Sequence, residues 1–262
     1  MATYALFFAA AVLAGAINTL AGGGGLLTFP LLSLVVPPVV ADATSGVALL
    51  PAYATATWGS RGELPHVRRW FWLLLGPSLL GGLLGALLLV WFDNRDFAVL
   101  VPWLVLASTL LILLRPLLTT RTNTDRSHLN VAAPVLLAAS IAVFLIAIYG
   151  GFFGAGTGIL MIGTLSFIGP GDIRHIVALK NALTGCLRTL AVAVLIVEGK
   201  VAWEYGLPMA AGALLGGYLG GKMAHRADRT LIRGVVIVVG FVISAYYFWR
   251  LYGSSVLHVA GE

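Results

Sequence analysis

Long stretches without charge constrain this chain more than any other feature of its sequence. No Asp, Glu, Lys or Arg occurs in residues 1–41, 43–60, 70–92, 97–114 and 129–171. A helix needs roughly 20 apolar residues to cross the hydrocarbon core of a bilayer. Charged residues make up 10% of the 262 residues, whereas soluble domains have about 25%. The chain is therefore predicted to be an all-α polytopic membrane protein.

The rest of the composition excludes several classes of function. The net charge of +6 is assigned to basic cytoplasmic loops rather than to nucleic-acid binding. The single cysteine, Cys186, excludes an intramolecular disulfide. The N-terminal apolar run has no basic residues before it, so we expect it to be retained rather than cleaved as a signal peptide. The sequence shows no paired carboxylates and no nucleophile–base arrangement, and the histidines lack metal-ligand spacing, so it predicts no enzyme, metal site or cofactor. These histidines are His66, His128, His175, His225 and His258.

Glycine breaks interrupt the apolar pattern twice, at "GGGG" (22–25) and at "GAGTG" (154–158). A helix predicted after each break, near 26–36 and 157–169, would rise only about 17–20 Å, against a hydrocarbon core of roughly 30 Å. The breaks are therefore predicted to lie within the membrane, each at the tip of a re-entrant hairpin. Longer helices are predicted near 3–21, 39–58, 70–92, 97–115, 130–151, 174–197, 203–223 and 231–250.

Four pairs of segments match in the same order in both halves of the chain. They are 21–27 with 154–160, 41–47 with 177–183, 61–64 with 198–201, and 81–85 with 216–220. The matches predict a duplication into two membrane repeats, 1–120 and 129–253. Each repeat would hold one re-entrant broken-helix hairpin and three transmembrane helices.

The distribution of Lys and Arg predicts that the second repeat is inverted relative to the first. With three full spans in each half, eleven basic residues face the cytoplasm, three lie outside, and Lys180 and Arg188 lie in the membrane. Parallel repeats would give a split of about eight to six, which the positive-inside rule disfavours. The eleven are Arg61, Arg68, Arg69, Arg115, Arg121, Arg126, Arg174, Lys222, Arg226, Arg229 and Arg233, and the three are Arg95, Lys200 and Arg250.

The two breaks are candidates for an anion site. The first N–H groups of a helix lack intrahelical partners and carry partial positive charge, so two helix N-termini that meet would attract an anion. The alternative is that the glycines serve close helix packing, the interpretation we favour for "GGLLG" (81–85) and "GGYLGGK" (216–222). The candidate binding residues at the breaks are Gly22, Gly23, Gly24, Gly25, Gly154, Gly156, Thr157 and Gly158.

Lys180 and Arg188 lie within one predicted span, with Asn181 and Thr184 on the same helix face as Arg188. A buried cation is costly unless it faces a cavity or a partner. No Asp or Glu is an obvious partner within the membrane, because Asp42 and Asp172 are placed near helix ends. An external anion is one explanation for the two cations. The alternatives are a Lys180 that reaches the inner surface and an Arg188 that binds carbonyls structurally. In the first half Thr44 and Ser45 occupy the equivalent positions and offer neutral donors.

The motifs that carry these features resemble a known family. "LAGGGGLLTFPLL", "ADATS", "GGFFGAGTGILMI" and "ALKNALTGCLRTL" are similar to the paired signatures of the sulfite exporter TauE/SafE family of membrane transporters. The resemblance covers essentially the whole chain. It implies a secondary transporter in the cytoplasmic membrane that exports sulfite, sulfoacetate or related organosulfonates by alternating access. An anion channel or a membrane scaffold without transport remains open. Expected partners are a small anion and membrane lipid, with the oligomeric state, including a homo-oligomer, left open.

Overall fold

The computed structural model describes residues 2–20, 22–118, 133–168, 172–223 and 229–249, and these ranges contain helices and no β-strand. The all-α prediction is confirmed. The helices are α1 (Ala2–Leu20), α2 (Gly25–Leu32), α3 (Pro38–Gly59), α4 (Arg68–Trp91), α5 (Asn94–Leu118), α6 (Ala133–Phe152), α7 (Thr157–Ile168), α8 (Ile173–Val197), α9 (Trp203–Met223) and α10 (Arg229–Phe248), with a short 3-10 helix at Leu64–Val67. Several residues discussed above lie outside the described ranges: Arg121, Arg126, His128, His225, Arg226, Arg250 and His258.

Membrane spans account for much of the described chain. Five helical segments are long and apolar enough to cross a bilayer: Pro38–Gly59, Leu64–Trp91, Asn94–Leu114, Ala133–Phe152 and Ile173–Val197. Such segments bury their backbone polar groups in helical hydrogen bonds, which is the condition for crossing hydrocarbon. The chain is a multi-pass membrane protein.

A short helix follows each glycine break, as the sequence predicts. α2 has 8 residues and α7 has 12, so they rise about 12 and 18 Å. α2 ends at Leu32, four residues earlier than predicted. The N–H groups of Leu34 and Val35 donate to carbonyls three residues back, and this tighter pattern closes the helix end. Pro38 then opens α3, in the first turn, where an N–H is not needed.

Glycines set the closest helix contacts. A Cβ on Gly81 or Gly85 of α4 would overlap a backbone carbonyl oxygen of α6. A Cβ on Gly212 or Gly216 of α9 would likewise overlap a carbonyl oxygen of α1. Small residues permit this close approach between membrane helices. The packing interpretation of the "GGLLG" and "GGYLGGK" segments is confirmed.

Helix contacts made by the first half of the chain have counterparts in the second half. α1 packs on α9, and α6, the first helix of the second half, packs on α4. α3 also packs on α9, and α8 packs on α4. The short helices behave in the same way, since α2 contacts α3 and α10, whereas α7 contacts α8 and α5. Each of these contacts has a counterpart when the halves are exchanged.

The central helices α3 and α8 pack together and run in opposite directions. Near the start of α8, Asn181 Nδ2 donates to the carbonyl of Ala56 near the end of α3 (3.3 Å). At the other end, Thr44 Oγ1 near the start of α3 accepts from the N–H of Ala202, which follows α8 (3.0 Å). These two contacts place the start of each helix beside the end of the other.

Described basic residues lie in two groups, one at each end of the helix bundle. Glu63, after α3, pairs with His175 at the start of α8 (Oε2 to Nε2, 3.2 Å). At the opposite end, Asn94 Oδ1, at the start of α5, accepts from the N–H of Val39 at the start of α3 (3.2 Å). The helix order therefore places Arg61, Arg68, Arg69 and Arg174 at one end and Arg95 and Lys200 at the other.

Candidate functional site

The first break turns the chain back at the end of α1. Gly22 has a φ of 82°, a left-handed conformation that glycine adopts without a Cβ clash. Its N–H donates to the carbonyl of Asn18 (3.0 Å) and closes α1. α2 begins at Gly25 and returns along α1. The close approach is seen at Gly24, where a Cβ would overlap the carbonyl oxygen of Ala14. Conformation and packing both require glycine here.

The second break uses two left-handed glycines and more side-chain hydrogen bonds. Gly154 has a φ of 78° and Gly156 a φ of 79°. Thr157 Oγ1 donates to the carbonyl of Gly154 (2.9 Å), and the hydroxyl of Tyr149 donates to the carbonyl of Ala155 (2.7 Å). Ser108 Oγ of α5 also donates to the carbonyl of Ala155 (3.1 Å), so side chains of three helices, α5, α6 and α7, hold the backbone of this break.

The two breaks are in direct contact. A Cβ built on Gly22 would lie 3.1 Å from Cα of Gly158, and one built on Gly25 would lie 3.4 Å from Cα of Ala155. The tips of the two broken helices therefore meet, as the sequence analysis expects of two re-entrant segments. Small residues at both positions allow the backbones to come this close.

Some of the helix N-terminal donors are already used within the breaks. The N–H groups of Leu26 and Leu27 donate to the carbonyls of Gly23 (3.1 Å) and Gly24 (3.0 Å). In the second half, the N–H of Ile159 donates to the carbonyl of Gly156 (2.9 Å). The helix dipoles still place partial positive charge at these ends. The backbone therefore offers fewer free donors for an anion than the sequence predicts, and side chains must supply the others.

Helix α8 brings both buried cations to the second break. Arg188 Nη1 donates to the carbonyl of Gly150 (2.7 Å), and a Cβ on Gly154 would overlap its guanidinium group. A Cβ on Gly158 would lie 3.5 Å from Cδ of Lys180. Each cationic residue is 3% exposed, so Lys180 does not reach the surface. The bond to Gly150 is the kind of carbonyl contact that a structural Arg188 would make, but it involves one nitrogen of three.

Several buried donors near this crossing have no partner among the described residues. These are Nε of Arg188, Oγ1 of Thr184 and Nδ2 of Asn18. An unpaired buried polar group costs about 1–3 kcal/mol, so a cluster of donors favours a ligand with acceptor oxygens. Asn18 was missed in the sequence analysis. Its signal is an amide in an otherwise apolar segment, four residues before Gly22.

Asp42 overturns the expectation that no acidic residue faces the buried cations. It lies in the second turn of α3, is 2% exposed, and interacts electrostatically with Arg188. Its Oδ2 is buried and has no hydrogen-bond partner within the described residues. A signal was present in the sequence, because Asp42 is the only charged residue among residues 1–60. Asp172 does lie at a helix end, where it caps α8.

The hydroxyls of the first half are engaged within the protein. Thr44 Oγ1 accepts from the N–H of Ala202 (3.0 Å), and Ser45 Oγ shares a hydrogen bond with Oγ1 of Thr28 (2.5 Å). On α8, Asn181 donates to Ala56, although its Oδ1 is buried without a partner among the described residues. Of the candidate side chains on α3 and α8, Lys180 and Arg188 are therefore the ones that the structure brings to the breaks, and Thr184 shares a helix face with Arg188.

A second polar cluster joins two histidines that appear scattered in the sequence. Ligand atoms of Glu63, His66 and His175 lie within 4.8 Å of one another, and the two imidazole rings stack at 4.9 Å. His175 Nδ1 accepts from the N–H of Asp172 (3.3 Å), so the neutral ring carries its proton on Nε2, which faces Glu63 (3.2 Å). That tautomer links the loop after α3 to the start of α8 by hydrogen bonds and leaves no lone pair on His175 for a metal.

A large groove lies away from the cations. It has a volume of about 1120 Å³ between α3, α4 and α8, with Arg61 and Arg68 at one end and Tyr53 in its wall. Its lining is mostly apolar and includes neither Lys180 nor Arg188. This surface suits hydrocarbon rather than a hydrated oxyanion, so the anion candidate stays at the helix crossing.

Broken helices that meet beside buried charge, inside a bundle of membrane-spanning helices, are features of secondary transporters. Comparison with known proteins agrees with this class. The family model for "Sulfite exporter TauE/SafE" matches residues 7–247. The chain belongs to this family of membrane transport proteins. No solved structure matches it.

Curated relatives match over almost their whole length. A "Probable membrane transporter protein" of Haemophilus influenzae is 31% identical over 247 residues, which cover 92% of each chain. The "Probable membrane transporter protein YfcA" of Escherichia coli K12 is 29% identical over 263 residues, with 98% of this chain and 93% of the relative covered. A Sinorhizobium relative, "Probable membrane transporter protein ORF9", is 28% identical over 244 residues, with 92% and 90% covered.

Proposed function

We propose that this chain is a secondary transporter that exports a small sulfur oxyanion across the cytoplasmic membrane. Sulfite, sulfoacetate and related organosulfonates form the substrate class. The family description supports sulfite, and transporter membership argues against an enzymatic role. One observation carries the proposal: Arg188 and Lys180 are buried against Gly154 and Gly158, at the point where the two broken helices meet.

The chemistry of that crossing suits an oxyanion. A guanidinium is planar, remains charged, and presents a fork of donors that matches two oxygens of a sulfonate or sulfite group. Nε of Arg188 and Oγ1 of Thr184 are donors without partners among the described residues, and Asn18 Nδ2 adds a third from α1. The positive ends of α2 and α7 add further attraction for negative charge.

Alternating access between inverted repeats is the proposed mechanism. Three observations support it: the antiparallel direction of α3 and α8, the exchange of helix contacts between halves, and the contact of the two breaks. In such transporters, one repeat rocks against the other around a site near the membrane midplane. The proposed repeats are residues 1–120 and 129–253, and the proposed location is the inner, cytoplasmic membrane.

Binding followed by flux tests the proposal. The purified protein should gain thermal stability with sulfite, sulfoacetate or thiosulfate, and less with taurine, whose amine neutralises the sulfonate charge. Proteoliposomes should then release radiolabelled sulfite at a saturable rate and exchange it across the membrane. Electrogenic flux at channel rates would instead favour an anion channel. No stabilisation and no flux with any of these anions would favour a scaffold.

A further inference from the structure

Asp42 is a buried acidic group that the proposed transport mechanism does not yet use. It is 2% exposed, and its Oδ2 has no hydrogen-bond partner in the described part of the chain. Ionisable residues at membrane depth are costly and mark ion pathways and proton relays. A carboxylate beside a proposed anion site also requires an explanation, because it repels the anion.

The position of Asp42 relative to Arg188 supplies that explanation. A Cβ on Gly46 would lie 2.9 Å from Nη2 of Arg188, so the guanidinium packs against this turn of α3. Asp42 precedes Gly46 by four residues and therefore lies on the same face of α3, one turn away. Asp42 and Arg188 interact electrostatically across this face.

Few other titratable groups face Asp42. Among the described residues, Tyr149 on α6 and Tyr53 on α3 itself interact with it electrostatically. Tyr53 also interacts with Arg188. Arg188 is the cation in this group, and Asp42 is its carboxylate. Lys180 is a second buried cation at this crossing, and it lies against Gly158 of α7.

We propose that Asp42 is the proton-binding site of the carrier and that one proton on Asp42 accompanies each anion bound at Arg188. The inference rests on the proposed transport of anions. In the unloaded carrier, ionised Asp42 balances Arg188. When a monovalent anion binds Arg188, a proton from water joins Oδ2 of Asp42, and the three groups again sum to zero charge. The balance involves one O–H bond and no redox step.

The physical advantage of this arrangement is that binding leaves the total charge of the site unchanged, because the exchange involves Asp42 and the anion and does not alter Lys180. An added charge within the hydrocarbon region would oppose reorientation of the carrier, since charge at that depth is costly. Proton and anion then move in the same direction. Export continues while the outward gradient of the anion exceeds the inward gradient of protons, and an inside-alkaline pH gradient favours uptake.

The test compares two modes of sulfite movement in proteoliposomes. Exchange of labelled for unlabelled sulfite needs only the loaded carrier to reorient, whereas net efflux also needs the unloaded carrier to return. Asp42→Asn mimics the protonated residue and leaves Arg188 uncompensated in the unloaded state. We expect exchange within about twofold of the unchanged protein, and net efflux reduced at least about tenfold. The ratio of the two rates cancels the titration of sulfite itself.

Two further variants control this comparison. Glu198→Gln removes an exposed carboxylate at the end of α8 and should leave the ratio unchanged. Asp42→Glu retains a carboxyl group and should preserve net efflux with a shifted pH profile. This variant tests the proton site even if Asp42→Asn does not fold. An unchanged ratio in Asp42→Asn, or an unchanged pH profile in Asp42→Glu, overturns the proton site. Absence of any sulfite exchange or efflux in the unchanged protein would instead overturn the proposed function.

Discussion

At the first break the nearby side chains are neutral or acidic. Thr28 and Ser45 satisfy each other with a hydrogen bond (2.5 Å), and Asp42 is the only charge among residues 1–60. At the second break the nearby charges are basic, because Lys180 and Arg188 are buried against its glycines. Both breaks nevertheless turn through a left-handed glycine and lead into a short helix.

This difference shows that the two breaks share their backbone geometry but not their charge. In the match of 41–47 with 177–183, Thr44 corresponds to Lys180, and Asp42 corresponds to Ala178. Both segments are helical, but each carries a charge that the other lacks. A site between them is therefore asymmetric, with its acid on α3 and its bases on α8.

The largest expected effect tests the opposite membrane orientation of the two halves, on which the comparison of the two breaks depends. In a background with Cys186→Ala, we expect Gly62→Cys and Arg226→Cys to react with an impermeant thiol reagent from the cytoplasmic side. Glu198→Cys should react from outside. Gly62 has open space around its Cβ position, and Arg226 lies outside the described residues. Labelling of Gly62→Cys and Arg226→Cys from opposite sides would contradict inversion.

Arg188 should give the next largest effect, because it supplies the basic character of the second break. Affinity for sulfite should fall in the order Arg, Lys, Gln. Lysine keeps the charge and loses the planar fork, whereas Arg188→Gln loses both. The full loss of a charge-assisted contact is about 1.5–3 kcal/mol, or roughly 10–150-fold in Kd. Binding is measured by titration calorimetry on protein that remains monodisperse.

Matched variants separate binding by Arg188 from structural support. Arg188→Gln leaves Asp42 buried without its cation, which lowers folded yield. Combining it with Asp42→Asn should restore the yield without restoring affinity. Arg68→Gln, at an exposed position, should change neither. Full affinity in well-folded Arg188→Gln would remove this residue from the site.

Most of the fold follows from local features of the sequence. Uncharged runs define the spans because hydrocarbon excludes charge, and glycine runs define the breaks because positive φ needs glycine. The end of α2 was less predictable. Residues 33–36 are as apolar as the helix before them, and the approach of Pro37 and Pro38, rather than hydrophobicity, limits that helix.

The site was less predictable, since it depends on contacts between distant segments. The sequence places Arg188 within a long predicted span, and the structure buries it. Asp42 was placed near a helix end, and only the packing of α3 against α8 shows that it faces Arg188. Glu63 and His175 are far apart in sequence and meet for the same reason.

Alanine at a glycine of each break should give a smaller but unequal effect. Gly154→Ala forces a left-handed φ on a residue with a Cβ, at about 1–2 kcal/mol, and pushes the guanidinium of Arg188 aside. Gly25→Ala meets Ala155 at an ordinary contact distance of 3.4 Å, so stability should change by about 0.5 kcal/mol or less. Thermal unfolding and sulfite titration measure both. Equal losses at the two positions would contradict the assignment of charge to the second break.

The smallest effects should come from two single hydroxyl groups, Ser45 on α3 and Thr184 on α8, and they should differ in kind. Ser45 is paired with Thr28, so Ser45→Ala removes a buried hydrogen bond worth about 0.5–1.5 kcal/mol of folding free energy. Thr28 keeps its bond to the carbonyl of Gly24, which limits the loss. Affinity for sulfite should not change, because this pair is satisfied within the protein.

Thr184 is the counterpart that should change affinity and not stability. Its Oγ1 is buried without a partner among the described residues, so Thr184→Val removes a desolvated hydroxyl and should leave the unfolding temperature equal or higher. If that hydroxyl donates to the bound anion, Kd should rise by the value of one neutral donor, about 0.5–1.5 kcal/mol or roughly 2–13-fold. Unfolding temperatures with and without sulfite, measured for both variants, give the two quantities together. Lost affinity in Ser45→Ala with full affinity in Thr184→Val would move the anion to the first break and reverse the comparison.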